Sequence, residues 1–199
     1  MIQPIVEGDG EVEAVPLLLR RLATAMGIPH VPVGRPIRKD RGQIVKREGM
    51  EKAIELARRQ PGCRAVFILF DADDLCTKTD ASPLQKRVTE LARNLPNSLT
   101  VANKEYEGWF LAGLESLGGT NRNLAPYPHD SDQKRGAKEE LERRLGIYYN
   151  ERADQPKFSA RVDLQQVYRR SRSFQKLVKE YRRLLEQLGF KPGAWPKED

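Results

Sequence analysis

The sequence predicts an α/β fold: a mostly parallel central sheet, helices on both faces, and a helical C-terminal segment. Three observations carry this prediction. The first half alternates strand and helix, the pattern of right-handed parallel crossovers. Residues 64–70 end in the unbroken apolar run Ala65-Val66-Phe67-Ile68-Leu69-Phe70, as strands covered on both faces do. Beyond residue 132 the pattern is helical, with no further strand.

Each element has its own warrant. Gln3-Pro4-Ile5-Val6 reads as a short strand closed by Gly8-Asp9-Gly10. From Glu11 to Met26 the apolar residues Val12, Val15, Leu18, Leu19, Leu22 and Met26 recur at helical spacing. Pro16 is compatible only with the first turn, which predicts a start near Glu13. Gly27 is the expected stop. His30-Val31-Pro32-Val33 reads as an edge strand because of its proline. A basic loop over 34–47 follows, then a helix over Gly49–Arg59 stopped by Pro61-Gly62. After the 64–70 strand come a helix over Pro83–Leu95, a strand over Leu99–Ala102 and an apolar helix over Gly108–Leu117. A turn-rich loop at 118–132 precedes helices near 133–145, 161–170 and 172–188. The expected organisation is one domain overall: a core over 1–117, the loop over 118–132, and a helical extension over 133–199 packed on the core.

Composition bounds the function. No apolar run approaches the roughly 18 residues needed to span a bilayer. The N-terminal residues lack the basic and apolar regions of a signal peptide. Two cysteines, Cys63 and Cys76, make neither a disulfide framework nor a four-cysteine zinc site, so a reducing cytoplasm is the expected setting. Two histidines, His30 and His129, are too few for a histidine-rich metal centre. The net charge of +7 is uneven, and most of the excess falls in 132–199. A second basic cluster comprises Arg35, Arg38, Lys39, Arg41, Lys46 and Arg47 against Asp40 alone. Such a balance favours polyanions, and nucleic acid is the expected partner.

Acidic residues gather where the strands end. Glu7 ends the first strand, Asp71 and Asp73 end the 64–70 strand, and Glu105 and Glu107 follow the 99–102 strand. In open parallel sheets the functional crevice lies beyond the carboxyl ends of the strands. Alternation along an extended chain points Asp71 and Asp73 the same way. Converging carboxylates repel unless a cation joins them, and an all-oxygen set suits Mg²⁺ or Mn²⁺. Such ions support phosphodiester cleavage.

Val6-Glu7-Gly8-Asp9-Gly10-Glu11, the segment Phe70-Asp71-Ala72-Asp73-Asp74 and the segment Lys104-Glu105-Tyr106-Glu107-Gly108-Trp109-Phe110-Leu111-Ala112 resemble an uncharacterised bacterial Toprim-like family. Phe158-Ser159-Ala160-Arg161-Val162-Asp163 and Ser171-Arg172-Ser173-Phe174-Gln175-Lys176-Leu177 are similar to its closing segments. The family is related to the Toprim domain of the overcoming-lysogenization-defect nucleases. The resemblance implies that Glu7 is the Toprim glutamate and that Asp71 and Asp73 are its Asp-x-Asp pair. It implies Glu11 as a further metal ligand of the nuclease branch, with Glu105 or Glu107 beside it. It also implies an ATPase partner and a place in a defence or mobile-element system. No tyrosine-bearing cleavage domain accompanies these motifs, which argues against a topoisomerase; a primase would need further domains. The expectation is therefore a Mg²⁺- or Mn²⁺-dependent nuclease. A non-catalytic subunit binding nucleic acid or an ATPase, with a structural cation, is the alternative.

Other residues have plainer roles beside their functional ones. Lys157, in a Pro156-Lys157-Phe158 turn, is a candidate for stabilising charge on phosphate; the plainer alternative is a solvated lysine. Gly8-Asp9-Gly10 lacks the Gly-Lys-Ser/Thr ending of a phosphate-binding loop. Cys76 reads as an exposed thiol, Ser171 as a helix start with Phe174 buried behind it, and Trp109 and Phe110 as core. Trp195 reads either as a partner contact or as part of a fraying tail.

Overall fold

A computed structural model describes residues 1–73, 80–118 and 123–196. Asp74 and Cys76 lie outside the described residues. Among those described, the strands are β1 (Ile2–Val6), β2 (Ile37–Arg38), β3 (Ala65–Asp71) and β4 (Asn97–Ala102). They form one parallel sheet in the order β2-β1-β3-β4. The helices of the first half are α1 (Glu11–Ala25), α2 (Arg41–Ile44), α3 (Arg47–Arg58), α4 (Ala81–Ala92), α5 (Glu107–Ala112) and α6 (Leu114–Leu117). A short 3₁₀ turn at Ser131–Gln133 leads to α7 (Ala137–Leu145), α8 (Glu151–Arg161), α9 (Leu164–Arg170) and α10 (Arg172–Gln187).

The sheet is covered on both faces. Alternate residues of β3 point to opposite sides, as the two-residue repeat of a strand requires. Val66, Ile68 and Phe70 join Ile5 of β1 against Met50 and Ile54 of α3 and Leu84 and Val88 of α4. Phe67 and Leu69 join Ile2 and Val6 against α1 and α10, through Leu19, Leu22, Leu177 and Tyr181. Every β3 residue from Ala65 to Phe70 is buried, which explains its unbroken apolar run. Each large apolar side chain buried this way contributes roughly 1.5–3 kcal/mol.

A buried polar knot holds α10 in place. Asp132 accepts from Ser171 Oγ, Ser173 Oγ and the Ser173 backbone N–H, each at 2.8 Å. Trp109 Nε1 donates to Ser173 Oγ at 2.8 Å. Ser171 caps α10 by accepting from Phe174 N at 3.1 Å, and Phe174, Trp109 and Phe110 are all core.

Several boundaries differ from the sequence expectation. The second strand is not His30–Val33 but Ile37–Arg38, inside the expected basic loop. Val33 makes a single bridge to Ile2. Pro32 lacks the N–H needed to extend a ladder there, whereas Lys39 N donates to Val6 O at 2.9 Å and continues the pairing. The first helix starts at Glu11 rather than Glu13, with Pro16 in its second turn. The apolar helix over 108–117 is two helices broken at Gly113, where a Cβ would sit 2.5 Å from Val162 Cγ2. The Pro156-Lys157-Phe158 turn is the middle of α8, which Asn150 caps by accepting from Ala153 N at 3.1 Å. The helix over 161–170 begins only at Leu164, where Asp163 caps it by accepting from Gln165 N and Gln166 N. No helix among the described residues is long and apolar enough to cross a membrane.

Candidate functional site

β1 and β3 are neighbours, with Val6 opposite Leu69. Glu7 and Asp71 therefore leave adjacent parallel strands at the same edge. Two further elements close over that edge. α1 packs on α8, and Gly10 makes the approach possible: a Cβ there would lie 2.4 Å from Gln155 Oε1 and 2.6 Å from Glu151 O. α5 and α7 complete the wall. The resulting cavity of about 280 Å³ is lined by Glu7, Gly8, Glu11, Asp71, Glu105, Glu107, Lys138, Glu151 and Gln155. Six carboxylates thus face one lysine.

The carboxylates have distinct jobs. Glu11 reaches back from α1, and its Oε2 accepts from Glu7 N at 2.9 Å and Gly8 N at 3.0 Å. Glu107 Oε1 accepts from Tyr149 Oη at 2.8 Å and Gln155 Nε2 at 3.2 Å. Glu105 accepts from Gly136 N (2.6 Å), Ala137 N (2.9 Å) and Lys138 N (3.3 Å), so it caps the N-terminus of α7. Both acidic residues after β4 thus border the cavity, but Glu105 is committed to backbone donors. Lys138 Nζ donates to Glu151 Oε1 at 2.9 Å.

Burial dominates the electrostatics. It pushes the Glu7, Asp71 and Glu107 carboxyls above their ordinary range and Glu11 up to about 8. The backbone N–H groups of Gly8 and Glu7 oppose the shift at Glu11. At Asp71 the charges of Glu11, Glu107, Glu7 and Asp73 add to the effect of burial. The hydrogen bond to Glu151 raises Lys138 as well, which for an ammonium holds the charge rather than removing it.

Asp71 and Asp73 do not lie side by side as alternation predicts. Asp73 takes φ +46°, which ends the extended chain, and its carboxylate turns to Arg41 Nη1 on α2. Lys104 Nζ donates to Asp73 O at 2.9 Å and fastens this turn. Asp73 therefore stands outside the cavity lining, near enough to act on Glu7 and Asp71 through its charge.

Lys157 is not at the site. It lies on an exposed side of α8, paired with Asp154 at 3.0 Å. The lysine that lines the cavity is Lys138, which sequence reading missed together with Glu151, Gln155 and Tyr149. The one available signal was Asn150 as a helix cap, which would have brought α8 and its Glu151 and Gln155 into consideration.

The basic cluster is spread along one flank. Arg38 on β2, opposite Val6, pairs with Asp9 at 3.0 Å and Asp40 at 3.5 Å. Arg41 holds Asp73, and Lys39 lies between Arg38 and Arg41 in sequence. Arg47 turns towards Glu90 at 3.7 Å. Lys46 is exposed before α3, and Arg35 is exposed near Gln3, whose Nε2 donates to Arg35 O at 2.6 Å. Arg38, Lys39 and Arg41 are thus the members at the carboxyl edge of the sheet.

Whether a divalent ion fits can be tested on the atoms. Glu7 Oε2, Asp71 Oδ1 and Gln155 Oε1 are buried with no hydrogen-bond partner. Buried acceptors without donors are costly, and a hard cation satisfies them. Among the described residues no three acidic, histidine or cysteine side chains converge as a finished cage. Mg²⁺ does not require one, since it uses one or two carboxylates and keeps several waters. The donor set fits Mg²⁺ or Mn²⁺.

Fold and site together define a parallel α/β protein with a buried acidic pocket at the carboxyl ends of two adjacent strands. The family described as "Domain of unknown function (DUF4276)" matches residues 6–181, and the chain belongs to it. The matched span contains every residue that lines the pocket. Comparison with curated proteins and with solved structures finds no match.

Proposed function

We propose that this chain is a Mg²⁺- or Mn²⁺-dependent phosphodiesterase acting on nucleic acid, a Toprim-like nuclease working in the cytoplasm. The observation that carries the reading is the pair of unpartnered buried oxygens, Glu7 Oε2 and Asp71 Oδ1, on adjacent strand ends. Glu7, Asp71 and Glu11 would hold the ion, with Glu107 behind them and Asp73 at the rim. When bound, the ion supplies Lewis-acid stabilisation of phosphoryl oxygen and lowers the pKa of water.

The chain's own residues do the rest. Glu11 fixes the backbone from which Glu7 departs. Tyr149 and Gln155 orient Glu107. Lys138, at the pocket, offers its ammonium to negative charge developing on phosphate. Arg38, Lys39 and Arg41 attract the phosphate backbone without reading sequence. The motif resemblance supports the same activity and extends it to an ATPase partner in a defence or mobile-element system.

A specific observation favours a second reading, a non-catalytic subunit binding nucleic acid or an ATPase. Arg41 and Lys138 already neutralise Asp73 and Glu151 from within. The two readings separate on turnover. The purified chain is incubated with plasmid, single-stranded DNA and RNA, in Mg²⁺, Mn²⁺ or chelator, beside Asp71→Asn. Metal-dependent cleavage lost in the variant supports the nuclease. No cleavage, with Mn²⁺ affinity equal in both proteins, removes the carboxylate site and leaves the binding subunit.

A further inference from the structure

The C-terminal tail folds back over α9 and α10. Arg182 Nη1 donates to Pro192 O at 3.2 Å and its Nη2 to Gly193 O at 2.8 Å. Gly193 N donates to Met26 O at 2.8 Å, just past the end of α1. α1 has 15 residues, a length of about 22 Å at 1.5 Å per residue. This anchor is therefore at the opposite end of α1 from Glu7, which lies just before the helix begins.

Between the tail and the helices is a cleft of about 1060 Å³. Tyr168 and Trp195 wall it, their ring centroids 6.1 Å apart and their planes inclined by 57°. Both are half-buried and both line the cleft. A second depression of about 650 Å³ shares Tyr168, Gln175, Arg182 and Pro196 with the first, so the two form one groove. Along it α10 presents Arg172, Lys176 and Lys179, spaced four and three residues apart and hence on one side of the helix. All three are exposed, and none has an ion-pair partner among the described residues. The acidic residue of the groove, Glu180, is engaged by Arg183 at 2.9 Å.

We infer that this groove is a second binding surface, for single-stranded nucleic acid. Three cations in a row without internal partners suit consecutive phosphates. Two aromatic rings at one end suit an unstacked base, since base–aromatic stacking tolerates any sequence. A duplex keeps its base faces covered and gains nothing from Tyr168 and Trp195. An acidic protein would use the charges but has no need of the ring pair. The surface lies apart from the acidic pocket and does not depend on its chemistry.

The test is fluorescence anisotropy with a labelled single strand of about 12 nucleotides, within the site sizes of single-strand binders. It is run in chelator, so that cleavage plays no part. The R172A/K176A/K179A variant changes exposed side chains and should keep the fold. Its salt slope should fall by about 2, at roughly 0.7 per phosphate contact on a single strand. Trp195→Ala should weaken binding about 5- to 150-fold, the range of one lost stack, and Trp195→Phe should restore most of it. Intrinsic tryptophan emission should change on binding, through Trp195, because Trp109 is buried. Wild-type affinity in the triple variant, equal or tighter binding of a duplex of the same length, or equal competition by oligoglutamate would each overturn the inference. An Asp71→Asn chain that has lost cleavage should still bind through the groove, which separates this result from that of the proposed nuclease.

Discussion

Glu11 Oε2 accepts the backbone N–H of Glu7 at 2.9 Å, so the first turn of α1 folds its own carboxyl back onto the end of β1. The bond fixes the point from which the Glu7 side chain leaves the strand. It also buries Glu11 among acids, and burial pushes its carboxyl up to about 8. At neutral pH that shift keeps Glu11 protonated, and the proposed cation would take the proton's place, which would couple the backbone clamp to the state of the pocket.

Asp71→Asn tests that coupling directly. The amide keeps the shape and removes a charge that burial and four neighbouring carboxylates oppose. In chelator above pH 8 the variant should melt higher than the wild type, while metal-dependent cleavage falls to background. Differential scanning fluorimetry and plasmid nicking check the two halves. A lower melting temperature with retained nicking would contradict both.

Stability should also depend on pH in a defined direction. A carboxyl whose folded pKa is raised binds its proton more tightly in the native state. Its contribution is favourable below the unfolded value of 4.5 and is lost as pH rises through the folded value of about 8. In chelator the melting temperature should therefore decline from about pH 5 to pH 8 and then level off. Saturating Mn²⁺ should flatten the decline. Thermal melts across that range, with and without the ion, decide it.

The two acidic residues after β4 should separate by phenotype. Glu105→Gln weakens charge-assisted bonds to three backbone N–H groups at the start of α7. That should cost about 1 kcal/mol, as helix-cap losses do, and leave cleavage per folded molecule intact. Glu107→Gln keeps an acceptor for Tyr149 and Gln155 but loses the charge at the pocket. It should leave urea unfolding nearly unchanged and weaken Mn²⁺ binding.

The two lysines offer a paired comparison. Lys138→Ala should lower cleavage roughly 100- to 1000-fold, the range seen when one charge-stabilising donor is removed. Lys157→Ala, on the exposed side of α8, should leave it unchanged. Initial rates at saturating metal read the difference; a reversed order would return Lys157 to the site.

Asp132→Ala should be among the most destabilising changes outside the pocket. It strands the Ser171 and Ser173 hydroxyls and the Ser173 N–H in a buried place. The expected loss is about 2–4 kcal/mol, measured by urea unfolding, with the melting temperature falling in step.

Periodicity made much of this fold legible. β3 and α10 follow from local pattern, because β3, buried on both faces, is apolar from Ala65 to Phe70 and an amphipathic helix is apolar every three or four residues; β1 and β4 are equally buried but carry Gln3, Asn97, Ser98 and Thr100, so their pattern is weaker. Glu7 and Asp71 were legible for a related reason: their positions at strand ends are written in the chain, whereas Glu11 came from the motif resemblance alone. β2 was not, because two residues carry no period, and pairing with Val6 selected them over the more strand-like His30–Val33. The break at Gly113 was hidden for the same kind of reason, since it answers to Val162 on another element.

The chain order alone thus brings acidic residues to the carboxyl edge of a parallel sheet, for strand direction and crossover handedness leave them nowhere else. Which of them share a cavity is settled by packing. A left-handed turn sends Asp73 to Arg41, a helix N-terminus claims Glu105, and the close passage of α8 over Gly10 brings in Glu151 and Gln155. Lys138 replaces Lys157 because side-chain direction on a helix depends on where that helix docks. Docking is set by the summed burial of many residues, and no local stretch of sequence records that sum.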